Sequence, residues 1–100
     1  MTGKTSVGVT LHYEMASTLE DFQRLLPAVA TVEYDPTLSQ FTHVEHGKCW
    51  SVRLSNPRKR HVAGLRLPLV DVELTFAGYT EVEIDAVVER FFTYFRRGGG

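Results

Sequence analysis

The sequence predicts an α+β two-layer sandwich: an antiparallel-dominated sheet of four to five strands with two helices on one face, ordered β-α-β-β-β-α with one strand left open. Three observations carry this expectation. Val70, Val72, Leu74 and Phe76 alternate with Asp71, Glu73 and Thr75, the pattern of a strand with one buried and one wet face. After the turn at Ala77-Gly78-Tyr79, Thr80 and Glu83 form a T-x-x-E capping box. Ile84, Val87, Val88, Phe91 and Phe95 then recur at three- and four-residue steps, an apolar stripe wide enough to lie across a sheet. At the other end of the chain, Val7, Val9, Leu11, Tyr13 and Met15 alternate with Gly8, Thr10, His12 and Glu14 and lead into a second helical pattern.

In that first helix Ser17 and Glu20 supply an S-x-x-E box, and Leu19, Phe22, Leu25, Leu26 and Val29 make the buried stripe. Pro27 lacks a backbone donor and disfavours helical geometry at Leu26, so the helix either stops there or kinks and runs one more turn. Ser17 and Glu20 stand 63 residues before Thr80 and Glu83, as Val7 to Tyr13 stand before Val70 to Phe76. Any amphipathic strand followed by a capped helix carries this pattern, so it supports two strand-plus-helix units rather than a duplication.

Between the units, Thr31 to Tyr34 reads as a short strand closed by Asp35-Pro36. Gln40 to Glu45 and Lys48 to Leu54 read as a hairpin turning at His46-Gly47. A two-residue turn pairs Glu45 with Lys48, His43 with Trp50 and Phe41 with Val52, and the last two pairs put an aromatic and apolar cluster under the helices. Ser55 to Arg60 reads as a polar, basic connection and His61 to Leu67 as a further strand, with Pro68 separating it from Val70 to Phe76 or marking an edge or bulge. Arg96 and Arg97 suit the negative end of the last helix, and Gly98 its C-cap. A ferredoxin-like fold needs another strand after that helix and ranks lower.

One hundred residues make a single domain over residues 1–100, with 1–5 and 98–100 expected to be disordered. Apolar and charged fractions of 43% and 23% are those of a folded globular chain. A net charge of −1 gives no general pull toward nucleic acid or anionic membrane, and no apolar run approaches the ~18 residues of a membrane span. With Cys49 alone no internal disulfide forms, and a reducing cytoplasm is the expected compartment. The ending Arg96-Arg97-Gly98-Gly99-Gly100 resembles the basic diglycine tails of ubiquitin-like modifiers and sulfur carriers, which implies activation of a terminal carboxylate by adenylation. Those folds end in a strand, whereas this pattern ends in a helix, so the glycines are read as a helix stop.

Candidate sites rank as follows. Val82, Phe92 and Tyr94 lie off the main stripe of the last helix and are assigned to partner contact, either with a second copy or with another protein. Arg53, Arg58, Lys59, Arg60 and Arg66 cluster without an intervening acid and, with Trp50 as a stacking surface, form a lower-ranked candidate for single-stranded nucleic acid or phosphate. His12, Glu14, Asp71 and Glu73 share the polar side of two strands and are the lowest-ranked candidate, for a metal-dependent enzyme or small hydrolase on the open sheet face. Cys49 follows His43 and His46, but no elbow or helix N-terminus adjoins it to activate a thiolate, so no catalytic residue is assigned. No cofactor is expected. The leading expectation is a protein-binding, accessory or regulatory protein acting by self-association or partner contact, with no chemistry of its own.

Overall fold

Alternating side chains give each strand one apolar side, and those sides can be covered together only if the strands share a sheet and both helices lie across it. That is the arrangement found in a computed structural model describing residues 7–98. In chain order the elements are β1 (Val7–Met15), α1 (Leu19–Val29), β2 (Glu33–Asp35), β3 (Gln40–Glu45), β4 (Lys48–Val62), β5 (Leu65–Ala77) and α2 (Glu81–Gly98). The five strands form one sheet in the order β1-β5-β4-β3-β2, with every neighbouring pair antiparallel. The short strand expected at Thr31 to Tyr34 is β2, found two residues later at its start and one at its end, and it pairs Tyr34 with Phe41.

Both helices occupy the same face. One apolar core joins Phe22, Leu26 and Val29 of α1 and Ile84, Phe91 and Phe95 of α2 to Trp50, Val52, Leu54, Val70, Val72, Leu74 and Phe76 of the sheet. Phe22 links the helices, its ring centroid 4.7 Å from that of Phe95 and 6.2 Å from that of Phe91. In β1, Val9, Leu11, Tyr13 and Met15 are only half-buried, because that strand lies at the sheet edge where the helices give less cover. The β3–β4 hairpin has the expected register, Glu45 with Lys48, His43 with Trp50 and Phe41 with Val52. His46 and Gly47 both have positive φ, 48° and 77°, the tight turn whose twist matches that of the strands.

Five local expectations are corrected. The N-cap of α1 is Thr18, whose hydroxyl accepts from the Asp21 N–H at 3.2 Å while the Asp21 carboxylate accepts from the Thr18 N–H at 2.9 Å. The sequence holds two overlapping boxes, and burial of Ser17 within the sandwich selects the later one. Leu19 is then exposed rather than part of the stripe. The helix continues through Pro27 to Val29, with the Ala30 N–H donating to the Leu26 carbonyl.

The third correction concerns Ser55 to Arg60, which is not a connection but part of β4. A bulge between Ser55 and Arg58 takes up Asn56 and Pro57, after which the ladder with β5 resumes. Asn56 has φ 52°, a conformation asparagine tolerates, and a bulge is where a missing proline N–H is least harmful. Residues 61–67 are therefore not a separate strand: they hold the end of β4, the turn at Ala63-Gly64 and the start of β5. Pro68 pairs with Lys59 without ending β5, which is an edge beyond Met15. Lastly, Gly98 is the final residue of α2 rather than its cap. The expectations for residues 1–5, Gly99 and Gly100 lie outside the described residues.

Candidate functional site

The long β4–β5 hairpin shapes the molecule, which measures 55 × 26 × 22 Å. Pairing with β1 ends at Val70, and pairing with β3 ends at Arg53, so from Arg58 to Leu69 the two strands have no further sheet neighbour among the described residues. Residues 59–67 are all exposed. This ribbon extends on the order of 15 Å past the helix-covered sheet, at ~3.4 Å per residue. Its tip, Ala63-Gly64, has φ 51° and 82°, the same tight turn as in the shorter hairpin.

Strand alternation gives the arm two unlike faces. Arg60 pairs with Leu67 and Val62 with Leu65, so Leu65, Leu67 and Val62 share one face with Arg60. Lys59, His61 and Arg66 lie on the other, with Pro68. Leu65 is 63% exposed, Val62 43% and Leu67 38%, with no helix over them. No ion pair to Lys59, Arg60 or Arg66 occurs among the described residues. The sequence signalled the basic charge here, but the exposure of the apolar side chains followed from the missing cover. A hint was present in Leu65, Leu67 and Leu69 alternating with Arg66 and Pro68 beside a run that no helix stripe is long enough to reach.

The other members of the basic group lie off the arm. Arg58 sits at the arm's base, where its guanidinium bonds Glu14 and Asp71, the latter at 3.1 Å, and also donates to the Asn56 carbonyl at 2.7 Å. Arg53 lies on the open sheet face beside Glu73. Trp50 is only 3% exposed and stacks near His43, 5.4 Å between ring centroids, under the helices. It therefore cannot stack a base, which corrects that part of the expectation.

The open face does bring His12 opposite Glu73 and Glu14 opposite Asp71. His12 Nδ1 is 3.8 Å from the Glu73 carboxylate, while Arg58 occupies both Glu14 and Asp71. Among the described residues no three His, Cys, Asp or Glu side chains are grouped to hold a metal ion. The Asp71 carboxyl is held below its ordinary 3.8 by hydrogen bonds from Asn56 and then Arg58. On this face Arg58 thus takes up two of the four candidate ligands, Glu14 and Asp71.

On α2, the assigned contact residues divide. Val82 is 78% exposed. Phe92 is half-buried, edge-on to Tyr13 at 5.0 Å, and Tyr94 is half-buried with the Arg90 guanidinium 5.8 Å from its ring. Beside Val82 the exposed acids Glu81, Asp85 and Glu89 follow at four-residue steps along one side of the helix, which continues into a shallow groove bordered by Ala86, Arg90 and Tyr94. A separate recess of about 370 Å³ opens at the arm's base between the start of α1 and the bulge, bordered by Ser17, Leu54, Pro57, Lys59 and Leu69. Among the described residues no helix is long and apolar enough to cross a membrane.

No protein-family model, curated protein or solved structure matches the chain. Any functional reading therefore rests on the surfaces themselves.

Proposed function

We propose that this chain is a protein-binding module, an accessory or regulatory protein that acts by self-association or partner contact rather than by chemistry of its own, and that the β4–β5 arm is its contact element. One observation carries this reading: Leu65, Val62 and Leu67 stand together on one face of an arm that no other described element covers. Single exposed apolar residues are ordinary, but three aligned on a projecting ribbon would favour association in water, at about 25 cal/mol per Å² of apolar surface removed. The half-buried, unpaired Cys49 accords with a reducing cytoplasm as the compartment.

The test is Leu65→Asp with Leu67→Asp. Far-ultraviolet circular dichroism and the denaturation midpoint should stay near those of the parent, because neither side chain belongs to the core. Association, read by light scattering or by recovery of a bound protein, should fall at least tenfold. Unchanged association in the folded double variant removes the arm from the contact.

The second reading is nucleic acid, favoured by Lys59, His61 and Arg66 sharing the arm's other face on a two-stranded ribbon narrow enough for a groove. It predicts a salt-dependent shift with oligonucleotides that Lys59→Ala, Arg60→Ala and Arg66→Ala together abolish. No shift at low salt with single- or double-stranded DNA or RNA would dispose of it.

A further inference from the structure

We infer that the arm's partner is a second copy of this chain, and that the arm of one copy lies along the acidic side of α2 of the other. This rests on the arm being a protein-contact element and names what it meets. The charge distribution argues for it. Residues 57–69 carry four of the chain's eleven basic residues and none of its twelve acidic ones, so the remainder is acidic by seven against twelve. Arg58 is paired with Glu14 and Asp71 at the arm's base, but the cations beyond it and the acids on the outer side of α2 are not neutralised among the described residues. Lys59, Arg60 and Arg66 have no ion pair among the described residues, and the same holds for Glu81, Asp85 and Glu89.

The spacing also fits. Residues four apart on a helix advance ~6 Å, and residues two apart on one strand face advance ~6.7 Å. Glu81, Asp85 and Glu89 thus present carboxylates in a row whose repeat is close to that of the arm's side chains. Val82 and Ala86 run beside that row, an exposed apolar track that would receive Leu65 and Leu67 while Arg60, on the same face of the arm, meets the acids and Lys59 and Arg66, on the other face, add to the arm's positive field. Because every copy has one arm and one such helix side, a two-fold pair makes the contact twice and leaves neither surface open. Nucleic acid would match the arm's charge alone; the second copy matches its charge and its apolar face.

A charge-exchange experiment tests the pairing by sedimentation velocity at low salt. The parent chain is expected to dimerise at micromolar concentration and to dissociate as salt rises. Lys59→Glu/Arg60→Glu/Arg66→Glu in the arm, or Glu81→Lys/Asp85→Lys/Glu89→Lys on α2, should each give monomers with unchanged circular dichroism. An equimolar mixture of the two variants should form a one-to-one heterodimer, since each altered surface then faces its complement. If the lysine variant does not fold, Asp85→Lys alone takes its place, with at least a tenfold weakening expected and partial rescue by Arg60→Glu.

A parent that stays monomeric at every concentration overturns the inference, and oligonucleotide binding by that monomer would assign the arm to nucleic acid instead. Dimers lost with the arm variant but kept with the α2 variant also overturn it, leaving the arm as a contact element that meets another surface. Dimers that survive both variants overturn the inference and the arm's role together.

Discussion

Arg58 and Asp71 join across the bulge that opens the arm, guanidinium to carboxylate at 3.1 Å, and Glu14 of β1 accepts from the same guanidinium. Asn56 completes the set by donating to the second Asp71 oxygen at 3.2 Å. Three strands are thereby tied together where the ladder is interrupted, so the network governs the direction of the arm more than the stability of the sandwich.

Arg58→Ala should consequently leave global stability close to that of the parent, since solvent screens such pairs. Amide exchange should rise at residues 59–67 and stay unchanged in β1 and β5 beyond Val70. The Asp71 carboxyl is depressed below its ordinary 3.8, so its contribution is complete above that value and is lost as pH falls through the depressed one. Arm protection in the parent should therefore fall below pH ~3.8 and become less sensitive to acid in Asp71→Asn, where Glu14 is the remaining carboxylate on Arg58. Equal exchange in Arg58→Ala and parent would refute the role of the network.

Tyr79 presents the opposite situation. Its ring is 1% exposed and lies edge-on to Phe76, and its hydroxyl has no hydrogen-bond partner among the described residues, although the Glu45 carboxylate is near. Burial first, then the negative charge of Glu45 and of other neighbours, pushes its ionisation up to about 12. A raised value means stability is intact below the ordinary 10 and declines as pH rises from 10 toward 12. Tyr79→Phe should abolish that alkaline decline and, by removing an unsatisfied buried group, be neutral or stabilising by up to ~1 kcal/mol at pH 7. A loss above 1 kcal/mol in urea denaturation would mean the hydroxyl has a partner.

Phe22 connects α1 to α2 through Phe91 and Phe95 and has no exposed surface. Phe22→Ala should lower stability by about 3–5 kcal/mol, a large part of what a domain of this size has. Denaturant titration gives the value. A change under 1 kcal/mol would show that the helices do not depend on this contact.

Gly78 has φ 88°, and a Cβ there would come 3.1 Å from the Lys48 side chain. Lys48 is held in place by Glu83 at 3.0 Å and lies over the Tyr79 ring. Gly78→Ala should cost about 1–2 kcal/mol from the left-handed backbone alone, and more if Lys48 is displaced. Lys48→Ala combined with Gly78→Ala separates the two: a smaller loss in the double variant than the sum of the singles assigns the remainder to the clash.

The fold was legible wherever a decision is local. Period-two alternation in Val7–Met15 and Val70–Phe76, the Thr80–Glu83 box and the His46-Gly47 turn each identify an element from a few adjacent residues, and the hairpin register follows from the turn length alone. The errors fell where two local readings compete. Ser17–Glu20 and Thr18–Asp21 are both good boxes, and Ser-Asn-Pro reads equally as a loop or as a bulge.

By itself the sequence determined that two helices cover one side of an antiparallel sheet, because apolar stripes at these periods have few ways of being buried together. Only the tertiary structure decided that Trp50 is sealed, that Arg58 is bound to Asp71, and that Leu65 and Leu67 are left in water. A sequence pattern states which faces are apolar, whereas exposure depends on how far the covering helices reach, and β4 and β5 run past their end.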